Sequence, residues 1–113
     1  MNWLISIFGN RTFGRARSSF WNEVRDEFVK ENPKCAVCGS VKIAVHHKLP
    51  FFLYPELELK KSNLISLCDW RGNNCHWIVG HCKMSWICYD ERIDETSTLL
   101  NDVKKRASEQ LRK

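Results

Sequence analysis

The sequence has no internal repeat and no low-complexity tract, so neither a repeat array nor a biased linker organises it. Its opening, MNWLISIFGNR, holds an apolar run of about eight residues, far short of the roughly 20 that cross a bilayer. No basic stretch leads into that run and no small-residue cleavage site follows it. This argues against a signal peptide and for a cytoplasmic protein without membrane association. An acidic excess is missing too: lysine and arginine number 18 against 13 aspartates and glutamates, a net charge of +5. Such a balance favours a polyanionic partner, most simply nucleic acid, although it also serves plain solubility.

With 113 residues, the chain is one small domain near the lower limit for a self-sufficient core. A staple is expected, and six cysteines supply the material. In a reducing cytoplasm paired cysteines hold metal more readily than they form disulfides. Residues 1–17 carry Arg11, Arg15 and Arg17 among glycines and read as a basic N-terminal arm. From Ser18 or Ser19 as N-cap, FWNEVRDEFVKEN places Phe20, Trp21, Val24 and Phe28 at helical spacing, and Pro33 stops the helix. CAVCGS is a tight turn with Gly39 suited to a positive φ. VKIAVHH predicts a strand, and NLISLC predicts a second after a loop with Pro50 and Pro55. CHWIVGHCKMSWICYD predicts a helix of about three to four turns. Leu99, Leu100, Val103, Ala107 and Leu111 mark an amphipathic helix within residues 91–113, expected to pack on the same domain. The fold class that follows is a small α+β domain with a two-stranded hairpin and flanking helices.

Cys35 and Cys38 form a CxxC pair on the turn, Cys68 closes the second strand, and Cys75 opens the next segment. Two pairs about thirty residues apart are the ligand arithmetic of a four-cysteine structural zinc site. The six residues between Cys68 and Cys75 exceed the usual spacing, so DWRGNN looks like an insertion. Buried thiols packing as small hydrophobes are the plainer alternative. Cys82 and Cys88 read as core thiols, though either is able to replace Cys75 as fourth ligand.

Only four histidines occur, and VHHK puts two of them side by side. Adjacent side chains on a strand point to opposite faces, so His46 and His47 offer one imidazole to each side. Taken in order, CAVCG, VHHKLPF, NLISLC and CHWIVGH resemble the HNH endonuclease family, with the signature letters on His47, Asn63 and His76. The resemblance covers roughly residues 20–88, and SSFWNEVRDEFVKENPKC is similar to the lead-in helix of small phage and prophage members.

That resemblance implies a ββα-metal unit over residues 18–90 that hydrolyses DNA phosphodiester bonds. It implies His47 as general base, His46 and His76 as ligands of a catalytic divalent ion, and Asn63 as a bridge across the loop. His46 stands where a carboxylate is common in the family, and a neutral ligand admits Zn²⁺, Ni²⁺ or Mn²⁺ alongside Mg²⁺. His81 would sit about 140° from His76 on a regular helix, a poor third ligand unless the helix distorts near Gly80. Ligand, phosphate contact and plain packing all stay open for it. Lys42, Lys48, Arg71 and Lys83 are candidate phosphate contacts, while Phe28, Trp77 and Trp86 read as core. Phage members act near packaging motors, as homing enzymes or in restriction systems, so packaging proteins join DNA as candidate partners. A zinc-stapled nucleic-acid-binding module without catalysis, or a zinc-ribbon adaptor, would explain the charge and cysteines. The binding module gives no reason for His46, His47, Asn63 and His76 together, and the adaptor would need an apolar surface patch.

Overall fold

A computed structural model of the chain describes residues 17–70 and 74–112. Arg11, Arg15 and the rest of the arm up to residue 16, together with Arg71, lie outside the described residues. Two strands stand at the centre of a small α+β arrangement. β1 (Ile43–His47) pairs antiparallel with β2 (Leu64–Cys68), Ile43 lying opposite Cys68 and His47 opposite Leu64. Among the described residues, no helix is long and apolar enough to cross a membrane.

Helix α1 (Trp21–Glu31) leads into the sheet. Its N-cap is Phe20, not a serine; Ser18 Oγ accepts the Phe20 N–H at 3.2 Å from just upstream. At the other end the Asn32 N–H and Nδ2 both donate to the Phe28 carbonyl, at 2.8 and 3.2 Å, and Pro33 then ends the helix. Phe28 is buried and Trp21 and Val24 are half-buried, whereas Phe20, at the helix mouth, stands in solvent.

All five residues of β2 are buried, which in a two-stranded sheet requires cover on both faces. Ser66 Oγ donates to the Asn32 carbonyl at 2.7 Å, tying one face to the end of α1. Leu67, on the other face, approaches Gly80. The core that results is thin: Leu67, Ile93, Val37 and Cys68 are its largest fully buried side chains. Cys35, Cys75, Val79 and Ile65 complete it.

Two sequence expectations need correcting here. The stretch 75–90 is not a helix of several turns. One π-type turn, His76–Gly80, is followed by tight turns in which Cys82 and Lys83 take left-handed φ values of 58° and 53°. Two successive left-handed non-glycine residues cost roughly 1–2 kcal/mol each, so packing around them must hold the reversal. The C-terminal helix α2 (Ile93–Leu111) does form, but it docks only through its first turns. Ile93 and Ser97 are buried, Leu100 is half-buried, and Asn101 Nδ2 donates to the Val37 carbonyl at 3.0 Å. Leu99, Val103 and Leu111 are exposed, because the sheet is too short to reach them.

Candidate functional site

Among the described residues, two clusters of side chains have donor atoms close enough to hold a metal ion. In the first, ligand atoms of Cys35, Cys38, Cys68 and Cys75 all fall within 4.8 Å of one another. The CxxC turn builds one half: the Val37 and Cys38 N–H groups point at Cys35 Sγ, at 3.4 and 3.5 Å, and Gly39 closes the turn at φ 78°. Cys68 and Cys75 build the other half, the Cys75 N–H donating to Cys68 Sγ at 3.2 Å. Cys38 Sγ lies 3.5 Å from Cys68 Sγ. Thiolates at ~2.3 Å from a tetrahedral ion stand about 3.8 Å apart, so the cluster has the dimensions of a zinc site. Burial pushes the Cys68 thiol up to about 11 and Cys75 higher still. At Cys35 burial acts in the same direction, but the N–H groups aimed at its sulfur prevail and lower it. A divalent cation would reverse the mutual repulsion of four such thiolates. No disulfide joins any of the six cysteines, and Cys82 and Cys88 are half-buried at the surface side, not core thiols.

In the second cluster His46, His76 and His81 converge, again within 4.8 Å. The π-type turn is the reason His81 takes part. It closes an i to i+5 hydrogen bond, His81 N–H to the His76 carbonyl at 3.1 Å, so residues five apart stack on one face. A regular helix would have splayed them. Asn74 starts the turn by accepting the Trp77 N–H on Oδ1 at 3.0 Å. Gly80 lets the ring of His46 in: a Cβ there would stand 3.2 Å from His46 Nδ1 and Cε1 and from Leu67 Cδ1.

On His81 the outward nitrogen is tied and the inward one faces His76. The Cys88 carbonyl sits 3.0 Å from His81 Nδ1, and a carbonyl only accepts, so Nδ1 carries the proton and Nε2 keeps its lone pair. That Nε2 lies 3.2 Å from His76 Nε2. Two imidazoles on one tetrahedral ion at ~2.05 Å would hold their nitrogens about 3.3 Å apart. His76 Nδ1 is buried and lies 3.5 Å from Asp69 Oδ2, the nearest carboxylate to that ring nitrogen among the ion pairs of the described residues, without forming a hydrogen bond to it. His46 Nε2 is buried with no hydrogen-bond partner, the kind of orphan a metal ion satisfies. Burial, with the neighbouring His76 and His81, lowers His46 to about 3, keeping it in the neutral form that binds metal. Burial likewise lowers His81.

His47 points the other way. Its ring packs on Trp21, centroids 4.6 Å apart, and its Nε2–H donates to the Glu58 carbonyl at 3.0 Å. That bond fixes the tautomer and leaves Nδ1 as the proton-accepting nitrogen. Burial, aided by the charge of Arg17 and opposed by the Glu58 carbonyl, lowers His47 to about 4, so it is neutral at pH 7. Asn63 holds the loop that follows: Oδ1 accepts the Leu49 N–H at 2.9 Å, and Nδ2 donates to the carbonyls of Leu49 and Leu57. A cleft of about 310 Å³ brings His46, His47, His76 and His81 together with Arg17, Phe51 and Trp86.

Of the candidate phosphate contacts, Lys48 is engaged by Asp94 of α2 at 2.9 Å, Lys42 lies over the Trp70 ring, and Lys83 is exposed. Trp86 is not core. It is 59% exposed and meets His81 edge-on at the rim of the cleft, centroids 4.8 Å apart and planes at 69°. Sequence reasoning missed Asp69, Glu58 and Arg17, which no spacing rule links to the histidines; only the position of Gly80 hinted at the π-type turn. No protein-family model, no curated protein and no solved structure matches the chain.

Proposed function

We propose that this protein is a metal-dependent endonuclease of the HNH type that hydrolyses DNA phosphodiester bonds, with its ββα-metal unit stapled by a four-cysteine zinc site. The observation that carries the reading is the split of VHHK: His46 turns into a three-imidazole cluster with an orphaned Nε2, and His47 turns to the opposite face with Nδ1 left to accept a proton. Three imidazole ligands without a carboxylate suit Zn²⁺, Ni²⁺ or Mn²⁺ better than Mg²⁺. A divalent ion bound there supplies Lewis-acid stabilisation of the charge that develops on phosphate and leaving oxygens.

The chain's own residues do the rest. His47 takes one proton from the attacking water through Nδ1 as the new O–P bond forms and the P–O3′ bond breaks. The products are a 5′-phosphate and a 3′-hydroxyl, the leaving oxygen gaining its proton from solvent. Glu58 holds His47 in the required tautomer, and Asn63 keeps the strand end and loop in register with it. Positive charge on the surface draws in the DNA backbone, so sequence preference from this domain should be weak.

The test is plasmid nicking by the purified, zinc-loaded protein with Mg²⁺, Mn²⁺, Ni²⁺, Zn²⁺ or no added ion, alongside His47→Ala. Nicking that needs both the added ion and His47 is the expected result, with His47→Ala lower by about 10²–10⁴-fold. DNA binding without nicking under every ion would replace the enzyme with a zinc-stapled binding module.

A further inference from the structure

The wall of the cleft beside His47 carries a cation that the proposed reaction has not used. Arg17 lies just before α1 and lines the same cleft as His46 and His47. Its guanidinium carbon sits 4.4 Å from the Phe51 ring centroid and 5.2 Å from that of Trp21. Trp21 is also the ring on which His47 packs, so one indole positions both the imidazole and the guanidinium. Glu58 Oε2 stands 3.8 Å from Arg17 Nη1, an ion pair too long for a hydrogen bond. Glu58 is itself buried and held by the Ser18 N–H at 3.1 Å, while its carbonyl takes the His47 proton donor. Arginine's five donors far exceed what this one carboxylate contact can occupy. Among the described residues that ion pair is the one polar side-chain contact the guanidinium makes, and the side chain is nearly half exposed where it lines the cleft.

We infer that Arg17 grips the scissile phosphodiester, donating to a non-bridging phosphate oxygen from the side of the cleft that carries His47. This rests on the nuclease reading above. A planar fork suits a phosphate where an ammonium does not, and here stacking and the ion pair hold it before substrate arrives. As the water oxygen bonds to phosphorus and P–O3′ breaks, negative charge grows on the non-bridging oxygens. A preorganised donor aimed at that charge lowers the barrier without reorganising. Glu58 acts through Arg17 and His47 and is a positioning residue.

The experiment uses the full-length, zinc-loaded protein with its activating ion on supercoiled plasmid, comparing wild type with Arg17→Ala and Arg17→Lys. Arg17→Ala should slow single-turnover nicking by about 10²–10³-fold while the bound-metal content stays unchanged. Arg17→Lys should recover only part of this, remaining at least about 10-fold slow, because it restores charge without the fork. With zinc kept in the cysteine site and no activating ion added, the salt dependence of DNA binding should lose about one phosphate contact in Arg17→Ala and keep it in Arg17→Lys, which retains the charge. Nicking within threefold of wild type for Arg17→Ala, or for Arg17→Lys where the alanine variant does not fold, overturns the assignment and leaves the nuclease intact. A wild type that nicks under no ion overturns both.

Discussion

Gly80→Ala tests the packing that admits His46 to the imidazole cluster. The added methyl would stand 3.2 Å from two ring atoms of His46 and from Leu67 Cδ1. Relaxed carbon contacts lie at ~3.5–4.0 Å, so something must retreat by several tenths of an ångström. Neither neighbour has room: His46 is 4% exposed on a paired strand, and Leu67 is fully buried. Overpacking of this kind costs about 1–3 kcal/mol, and the gain of alanine over glycine in a helical turn returns about 1 kcal/mol. The net destabilisation centres near ~1 kcal/mol, or about 5 °C in Tm for a domain of this size. The metal site should suffer more. Ligand distances tolerate only ~0.2 Å, so a displaced ring weakens binding by about 10–100-fold. The assay is a Co²⁺ titration of zinc-loaded protein followed by visible absorbance, with calorimetry on the same samples. Co²⁺ affinity within twofold of wild type would refute the claim that the approach of backbone and imidazole sets the site.

Other outcomes follow from the same geometry. Cys68→Ser should abolish zinc retention and the cooperative melt, as a strong chelator does to the wild type, because the core is too thin to stand alone; a sharp melt of metal-free protein would contradict this. Asn63→Ala strips three hydrogen bonds from the loop and should cost about 1–3 kcal/mol in urea unfolding, whereas an unchanged midpoint would leave the loop held by something else. Asp69→Asn should weaken Co²⁺ at the histidine cluster about tenfold by removing the charge beside His76 Nδ1; full affinity would mean that Asp69 does not orient the ring.

Much of this was legible in the residues, and the exceptions have physical causes. Alternation on a strand predicts that His46 and His47 face opposite ways, and they do, because β1 keeps its register against β2. The cysteine pairs converge as their spacing predicts, the long 69–74 segment notwithstanding. Periodicity misled over 75–90, where apolar spacing suits a helix but the close approach of His46 to Gly80 and the left-handed pair Cys82–Lys83 widen one turn and end it. It misled again for α2, since an apolar stripe is buried only as far as there is a sheet to cover. Asp69, Glu58 and Arg17 enter the site through tertiary contacts across 7 to 41 residues, which no local pattern encodes.

The central proposal is that this small chain takes two metal ions in two different donor sets, four cysteines in one and three histidines in the other. Native mass spectrometry after loading with Zn²⁺ and then Co²⁺ measures that directly, for the wild type and for His46→Ala. Two ions per chain in the wild type and one in the variant, with the fold retained, is the expected result. A wild type that takes up one ion, or a variant that keeps two, would contradict the account.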